Sequence, residues 1–103
     1  MSLPSQSFRE VVVWQKAHTF TLGIYRVTEN FPPHELFGLT SQLRRASSSI
    51  PADFVEGYRK RTVPDKLRFY NIAQASADDC LYDLEEVSRL LQGYINGIHR
   101  ANG

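Results

Sequence analysis

From Phe69 to Leu91 an apolar or small residue returns every three or four places: Phe69, Ala73, Ser76, Cys80, Leu84, Val87 and Leu91. At 3.6 residues per turn these positions share one face of a helix; a strand, whose side chains alternate, would scatter them. Tyr70, Ala77 and Leu81 widen the line on one side, Ile72 and Leu90 on the other, so the apolar arc covers about half the circumference. So broad an arc calls for more than one neighbour. The small residues Ala73, Ser76, Ala77 and Cys80 let a neighbour approach closely at its middle.

Two earlier segments carry the same period. Val13, Ala17, Phe20, Ile24, Val27 and Phe31 form a stripe, with Trp14 and Tyr25 beside it. Ser7-Phe8-Arg9-Glu10 reads as a capping box that starts this helix near Phe8, and Pro32-Pro33 ends it. Pro33 also suits the first turn of a second helix, in which Leu36, Leu39, Leu43, Ala46, Ile50 and Phe54 recur. Pro51 removes one backbone donor and predicts a bend, while Gly57 predicts the stop. Thr62-Val63-Pro64-Asp65 predicts a third helix from about Pro64 to Leu91, with the Thr62 hydroxyl as cap. Beyond Leu91 the tail is punctuated by Gly93, Gly97 and Gly103, which predicts only a short or incomplete fourth helix. The predicted fold class is all-α, an up-and-down antiparallel bundle forming a single domain over residues 1–103.

The longest apolar run, Val11-Val12-Val13-Trp14, is far below the ~20 residues a membrane helix needs. The first five residues lack a basic stretch followed by an apolar one, so no secretory signal is read. Cys80 is the sole cysteine, which excludes an intramolecular disulfide and favours a cytoplasmic location.

Charge is unevenly spread. Residues 44–68 hold Arg44, Arg45, Arg59, Lys60, Arg61, Lys66 and Arg68 against Asp53, Glu56 and Asp65. Residues 69–103 hold Asp78, Asp79, Asp83, Glu85 and Glu86 against Arg89 and Arg100. Five of the seven central bases cluster where the second helix meets the third. Cations that reach phosphates together release counterions and bind nucleic acid, so all seven are candidate contacts. Arg45 projects opposite Leu36 and should reach solvent, whereas Arg44 lies at the edge of the apolar face. Arg45 is about 14 residues, or ~21 Å of helix, from the junction, so one compact patch cannot hold all seven. The alternative is a solvated surface whose cations pair with neighbouring acids.

On the first helix, Phe8, Val11 and Leu22 lie away from the main stripe, Val11 and Leu22 by roughly 160–180° at ~100° per residue. They are either scattered surface hydrophobes or an oligomer interface.

Several ordered motifs point to a family. They are Val13-Trp14-Gln15-Lys16-Ala17, Phe31-Pro32, Leu39 to Ala46, Ser49-Ile50-Pro51-Ala52, Glu56-Gly57-Tyr58 and Phe69 to Ala73. In order and spacing, residues 8–85 resemble the bacterial four helix bundle proteins. That family includes proteins encoded in intervening sequences of large-subunit ribosomal RNA genes and relatives of the diversity-generating retroelement accessory protein. The resemblance implies a four-helix protomer assembling as a ring, typically a pentamer, with no enzymatic activity. For the retroelement relatives it implies nucleic-acid binding through basic surface.

Catalytic and metal motifs are missing: no G-x-x-x-x-G-K, G-x-S-x-G or H-E-x-x-H occurs, so those chemistries have no support. His18, His34 and His99 lie in separate segments, and no calcium-loop glycine accompanies the acidic residues. Cys80 has no adjacent cation and reads as a core residue. Asp79, Asp83 and Glu86 follow helical spacing and read as a charged face. No cofactor is expected. The expected function is a non-enzymatic homo-oligomeric scaffold whose partners are further copies of itself and RNA, DNA or a nucleic-acid enzyme. The alternative is a protein–protein assembly module without nucleic-acid affinity.

Overall fold

The computed structural model describes residues 8–102, apart from the side chains of Phe8, Pro33 and Glu35. It contains three helices: α1 (Phe8–Thr28), α2 (Pro33–Arg59) and α3 (Val63–Asn102). No strand occurs among the described residues. The proposed Ser7 cap lies outside them, but Glu10 in the first turn and Arg26 in the last complement the α1 dipole.

The Thr28 hydroxyl donates to the carbonyls of Ile24 (2.7 Å) and Tyr25 (3.1 Å). The amides of Asn30 and Phe31 then reach back three residues, tightening the exit into a 3₁₀-like turn. Pro32 enters α2 in an extended conformation with Pro33 in the first turn, where a missing amide proton costs nothing. Across the second turn, the amide of Asp65 donates to the Thr62 hydroxyl at 3.3 Å, the predicted cap of α3.

Contacts run antiparallel. Thr21 meets Ser47 and Thr28 meets Arg44 between α1 and α2, while Phe54 meets Tyr70 and Ser49 meets Ser76 between α2 and α3. Ile24, Leu36, Leu43 and Val87 form the buried core, with Phe20, Phe31, Leu39, Leu84 and Leu91 against it. All three helices contribute. Leu43, Ser47 and Cys80 are fully buried, and the small residues Ser49 and Ser76 meet across the α2–α3 contact with their hydroxyls 2.7 Å apart.

Three expectations need correction. First, α1 is rotated: Val13 and Val27 are about half exposed, while Thr21 and Thr28 are buried. Each threonine has one hydroxyl proton, which Thr21 shares between the carbonyls of Ala17 on α1 and, more closely, Ser47 on α2, and Thr28 between two carbonyls of α1, so burial leaves neither orphaned. Second, α2 runs past Gly57 to Arg59, ending where Lys60 turns extended and its amide bonds the Gly57 carbonyl at 3.1 Å. Gly57 has no left-handed conformation. Its role is clearance, since a Cβ there would sit 2.6 Å from the Tyr70 ring. α2 is continuous through Pro51, so the proline does not break the helix.

Third, the tail does not turn. α3 continues through Gly93 and Gly97 to Asn102, so no fourth helix is found among the described residues. Neither glycine has positive φ, and no proline follows to end the helix. Gln92 to Asn96 and Asn102 to the Ile98 carbonyl add side-chain bonds along this stretch. With 40 residues, α3 is ~60 Å long, close to the 66 Å length of the molecule. It overhangs the start of α2 by about 20 Å, because α2 has only 27 residues.

Candidate nucleic-acid interface

The seven central bases fall into two groups. Arg44 and Arg45 lie midway along α2, and the other five gather at the α2–α3 junction, as the helix arithmetic predicts.

Arg44 is committed to the fold. Its Nε donates to the Thr28 hydroxyl at 2.8 Å and a terminal nitrogen reaches the Tyr25 carbonyl at 3.4 Å. The guanidinium lies 4.9 Å from the centre of the Tyr25 ring. A cation at the last carbonyls of α1 also meets the negative end of its dipole. Arg45 is exposed and, among the described residues, reaches only Ser41, at 3.4 Å. It lines a groove of about 470 Å³ whose far wall carries Asp79 and Asp83.

At the junction, Lys66 does for α2 what Arg44 does for α1. Its Nζ donates to the carbonyls of Tyr58 (2.8 Å) and Gly57 (3.3 Å), the open end of α2. Lys60 Nζ is 3.9 Å from Glu56, an exposed pair of small energetic weight. Both Lys60 and Arg68 place their charge 5.0 Å from the centre of the Phe69 ring. One aromatic ring therefore gathers a cation from the turn and one from α3. Arg59, Arg61 and Arg68 are exposed and form no ion pair among the described residues. The junction keeps cations available at its surface.

Reading the sequence alone missed three features here. Phe69 was counted only as core, whereas it is also the platform for Lys60 and Arg68. The capping roles of Arg44 and Lys66 depend on long-range geometry that no local motif announces. A mainly apolar cleft beside the junction was missed as well. Phe54 and Val55 line it on α2, Val11 and Trp14 on α1, and Tyr58 and Arg59 border it.

Val11 and Leu22 are about half exposed. Val11 lines that cleft, and the Phe8 side chain lies outside the described residues. Among the described residues, no three metal-ligating side chains converge. Burial, with Asp83 and Asp79 nearby, pushes the Cys80 thiol up to about 11, so the sulfur is protonated and packed at neutral pH. Burial, with Asp79 and Glu86 alongside, raises the Asp83 carboxyl above the usual range. No described helix is long and apolar enough to cross a membrane.

Neither a curated protein nor a solved structure matches the chain. The pattern describing the 23S rRNA-intervening sequence proteins matches residues 9–97. Nearly the whole helical body is covered, from the first turn of α1 into the overhang of α3, and the chain belongs to that family.

Proposed function

We propose that this chain is a non-enzymatic, self-assembling helical scaffold that binds RNA or DNA through the basic surface at the α2–α3 junction. The observation that carries the reading is the gathering of Lys60 and Arg68 around Phe69, with Arg59 and Arg61 exposed alongside. Arg59, Arg61 and Arg68 reach phosphates without first breaking an ion pair among the described residues, and Lys60 gives up only a long, exposed contact to Glu56. Self-assembly into a ring would repeat the patch and raise its valency. Arg44 and Lys66 belong to the scaffold more than to the contact, because helix ends already occupy them. A cytoplasmic location accords with this role.

The test is retention of short RNA and DNA at low salt, with and without Arg59→Ala, Lys60→Ala and Arg61→Ala together. Binding should fall with salt, and losing three phosphate contacts should reduce the log–log slope by about 2–3. No retention at low salt ends the reading.

A second reading, a protein–protein assembly module, is favoured by apolar surface along α3. Leu81, Leu90, Ile95 and Ile98 are each about half exposed. Light scattering that gives a multiple of the 11.8 kDa chain mass, together with no nucleic-acid retention, would select it.

A further inference from the structure

The cleft between the start of α1 and the end of α2 is lined by three aromatic residues, Trp14, Phe54 and Tyr58. It has a volume of about 380 Å³, within the ~300–1,000 Å³ range of small-molecule clefts. Its lining is mainly apolar and aromatic. Phe54 is buried and stacked on Tyr70, with ring centroids 4.7 Å apart and planes 17° apart, so this wall is firmly backed. Trp14 is 38% exposed, and its indole is braced by His18, stacked at 5.0 Å.

The charges around the cleft have a direction. Arg59, an exposed cation, lines it on the α2 side and leads straight into Lys60 and Arg61. Glu10 lines it on the α1 side, where its carboxylate accepts a 3.1 Å hydrogen bond from the Tyr70 hydroxyl. A phosphate would be repelled by Glu10 and drawn to Arg59. A planar uncharged ring would meet aromatic and aliphatic walls, with Glu10 available to accept from an exocyclic amino group. The juxtaposition of one aromatic slot with an adjoining run of cations is the arrangement that holds an unpaired nucleotide, base inward and backbone outward.

We propose that the Trp14–Tyr58 cleft takes one unstacked base of a single-stranded RNA or DNA whose phosphates lie along Arg59, Lys60 and Arg61. This rests on the nucleic-acid reading above and narrows it, because a paired base inside a duplex cannot enter the slot. The junction cations then supply affinity for any strand, and the cleft supplies preference for a free base.

Trp14 is the chain's one tryptophan, so a base stacking there reports itself by quenching intrinsic fluorescence. The full chain is titrated with an unstructured single strand, as RNA and as DNA, with an abasic strand of equal length, and with a duplex of equal phosphate number. The base-bearing strand should quench Trp14 and bind at least about five-fold tighter than the other two, the lower end of one aromatic–base stack. Comparison of the RNA and DNA arms shows which sugar is preferred. Val11→Phe narrows the cleft without altering charge at a position that is already 47% exposed. It should abolish both quenching and preference while leaving duplex binding in place, with circular dichroism confirming the helical content.

Equal binding of all strands without quenching overturns the base cleft but leaves the basic surface standing. So does an unchanged preference in a folded Val11→Phe variant. If Val11→Phe instead lowers the mass in solution, a second copy of the chain occupies the cleft, and the proposal fails. No binding of any strand at low salt removes both readings together.

Discussion

The hydroxyl of Thr21 on α1 donates a 2.8 Å hydrogen bond to the main-chain carbonyl of Ser47 on α2. That carbonyl is the one an amide at position 51 would take, and position 51 is proline. The bond is buried, so without Thr21 the oxygen would lose a donor that water cannot readily replace. Ser47 itself is fully buried, which brings the two backbones close enough for so short a side chain to span them.

Thr21→Val should therefore cost about 1–3 kcal/mol, the range for orphaning a buried polar group. Pro51→Ala should relieve much of that loss by restoring the helical amide. Chemical denaturation of both single variants and the double variant closes the cycle. Strict additivity would mean that the threonine hydroxyl is not substituting for the missing amide.

Gly57 and Tyr70 make a second pairing that no helix-stop rule describes. A Cβ on residue 57 would meet two ring carbons of Tyr70 at 2.6 and 2.7 Å and the Lys66 carbonyl at 3.2 Å. The ring cannot simply slide away, since it is stacked on Phe54 and tied to Glu10. Gly57→Ala should destabilise the fold by about 1–3 kcal/mol despite alanine's higher helix propensity, because overpacking outweighs propensity. A higher melting temperature in this variant would refute the clearance role.

The helices were legible because their cores follow the period of the α-helix, and Leu36, Leu43, Ala73, Cys80 and Val87 are buried where that period puts them. Face assignment failed where hydroxyls replace methyls. Thr21 and Thr28 look polar in a pattern of apolar residues, yet each can satisfy its own hydroxyl inside the protein. The extent of α3 was misread because glycine has two meanings. It can end a helix in a left-handed turn or be carried along at an energetic cost, and Gly93 and Gly97 are carried along. The basic zone was visible as composition. Which cations cap helices and which face outward depended on Thr28, Tyr58 and Phe69, residues distant from their partners or counted only as core.

Arg44 and Arg45 are adjacent, and their substitutions should separate cleanly. Arg44→Met removes a charged donor from Thr28 and from the end of α1, and should cost about 1–2 kcal/mol of stability. Arg45→Met touches only an exposed contact to Ser41 and should change stability by less than about 0.5 kcal/mol. Any effect of Arg45→Met should instead be on nucleic-acid affinity. Denaturant midpoints beside binding isotherms distinguish the two, and equal destabilisation by both would contradict the capping role of Arg44.

Tyr70 is pushed up to about 12, first by burial and then by its hydrogen bond to Glu10. A raised pKa means that the native state holds the proton more tightly than the unfolded chain. This contribution to stability is fully present below pH 10 and is lost as pH rises from there towards 12. Absorbance titration should show one of the five tyrosines ionising late, and Tyr70→Phe should remove that step. Glu10→Gln should lower the late step without bringing it to the ordinary tyrosine range, because burial is the larger cause. A return to the ordinary range would show that the carboxylate, not burial, sets it.

The overhang of α3 offers the opposite experiment to Gly57. A Cβ added at Gly93 or Gly97 meets nothing within 4 Å, and both sit in ordinary helical conformation. Alanine there should gain about 0.5–1 kcal/mol per site by reducing the freedom of the unfolded segment. Because this segment projects beyond the packed body, it should open locally without global unfolding. The gain should therefore appear as amide exchange slowed about two- to five-fold from Gly93 to Asn102, with little change in the global midpoint. Faster exchange in the alanine variants would mean that something in solution packs closely against those glycines, as a partner approaching the half-exposed Ile95 and Ile98 would.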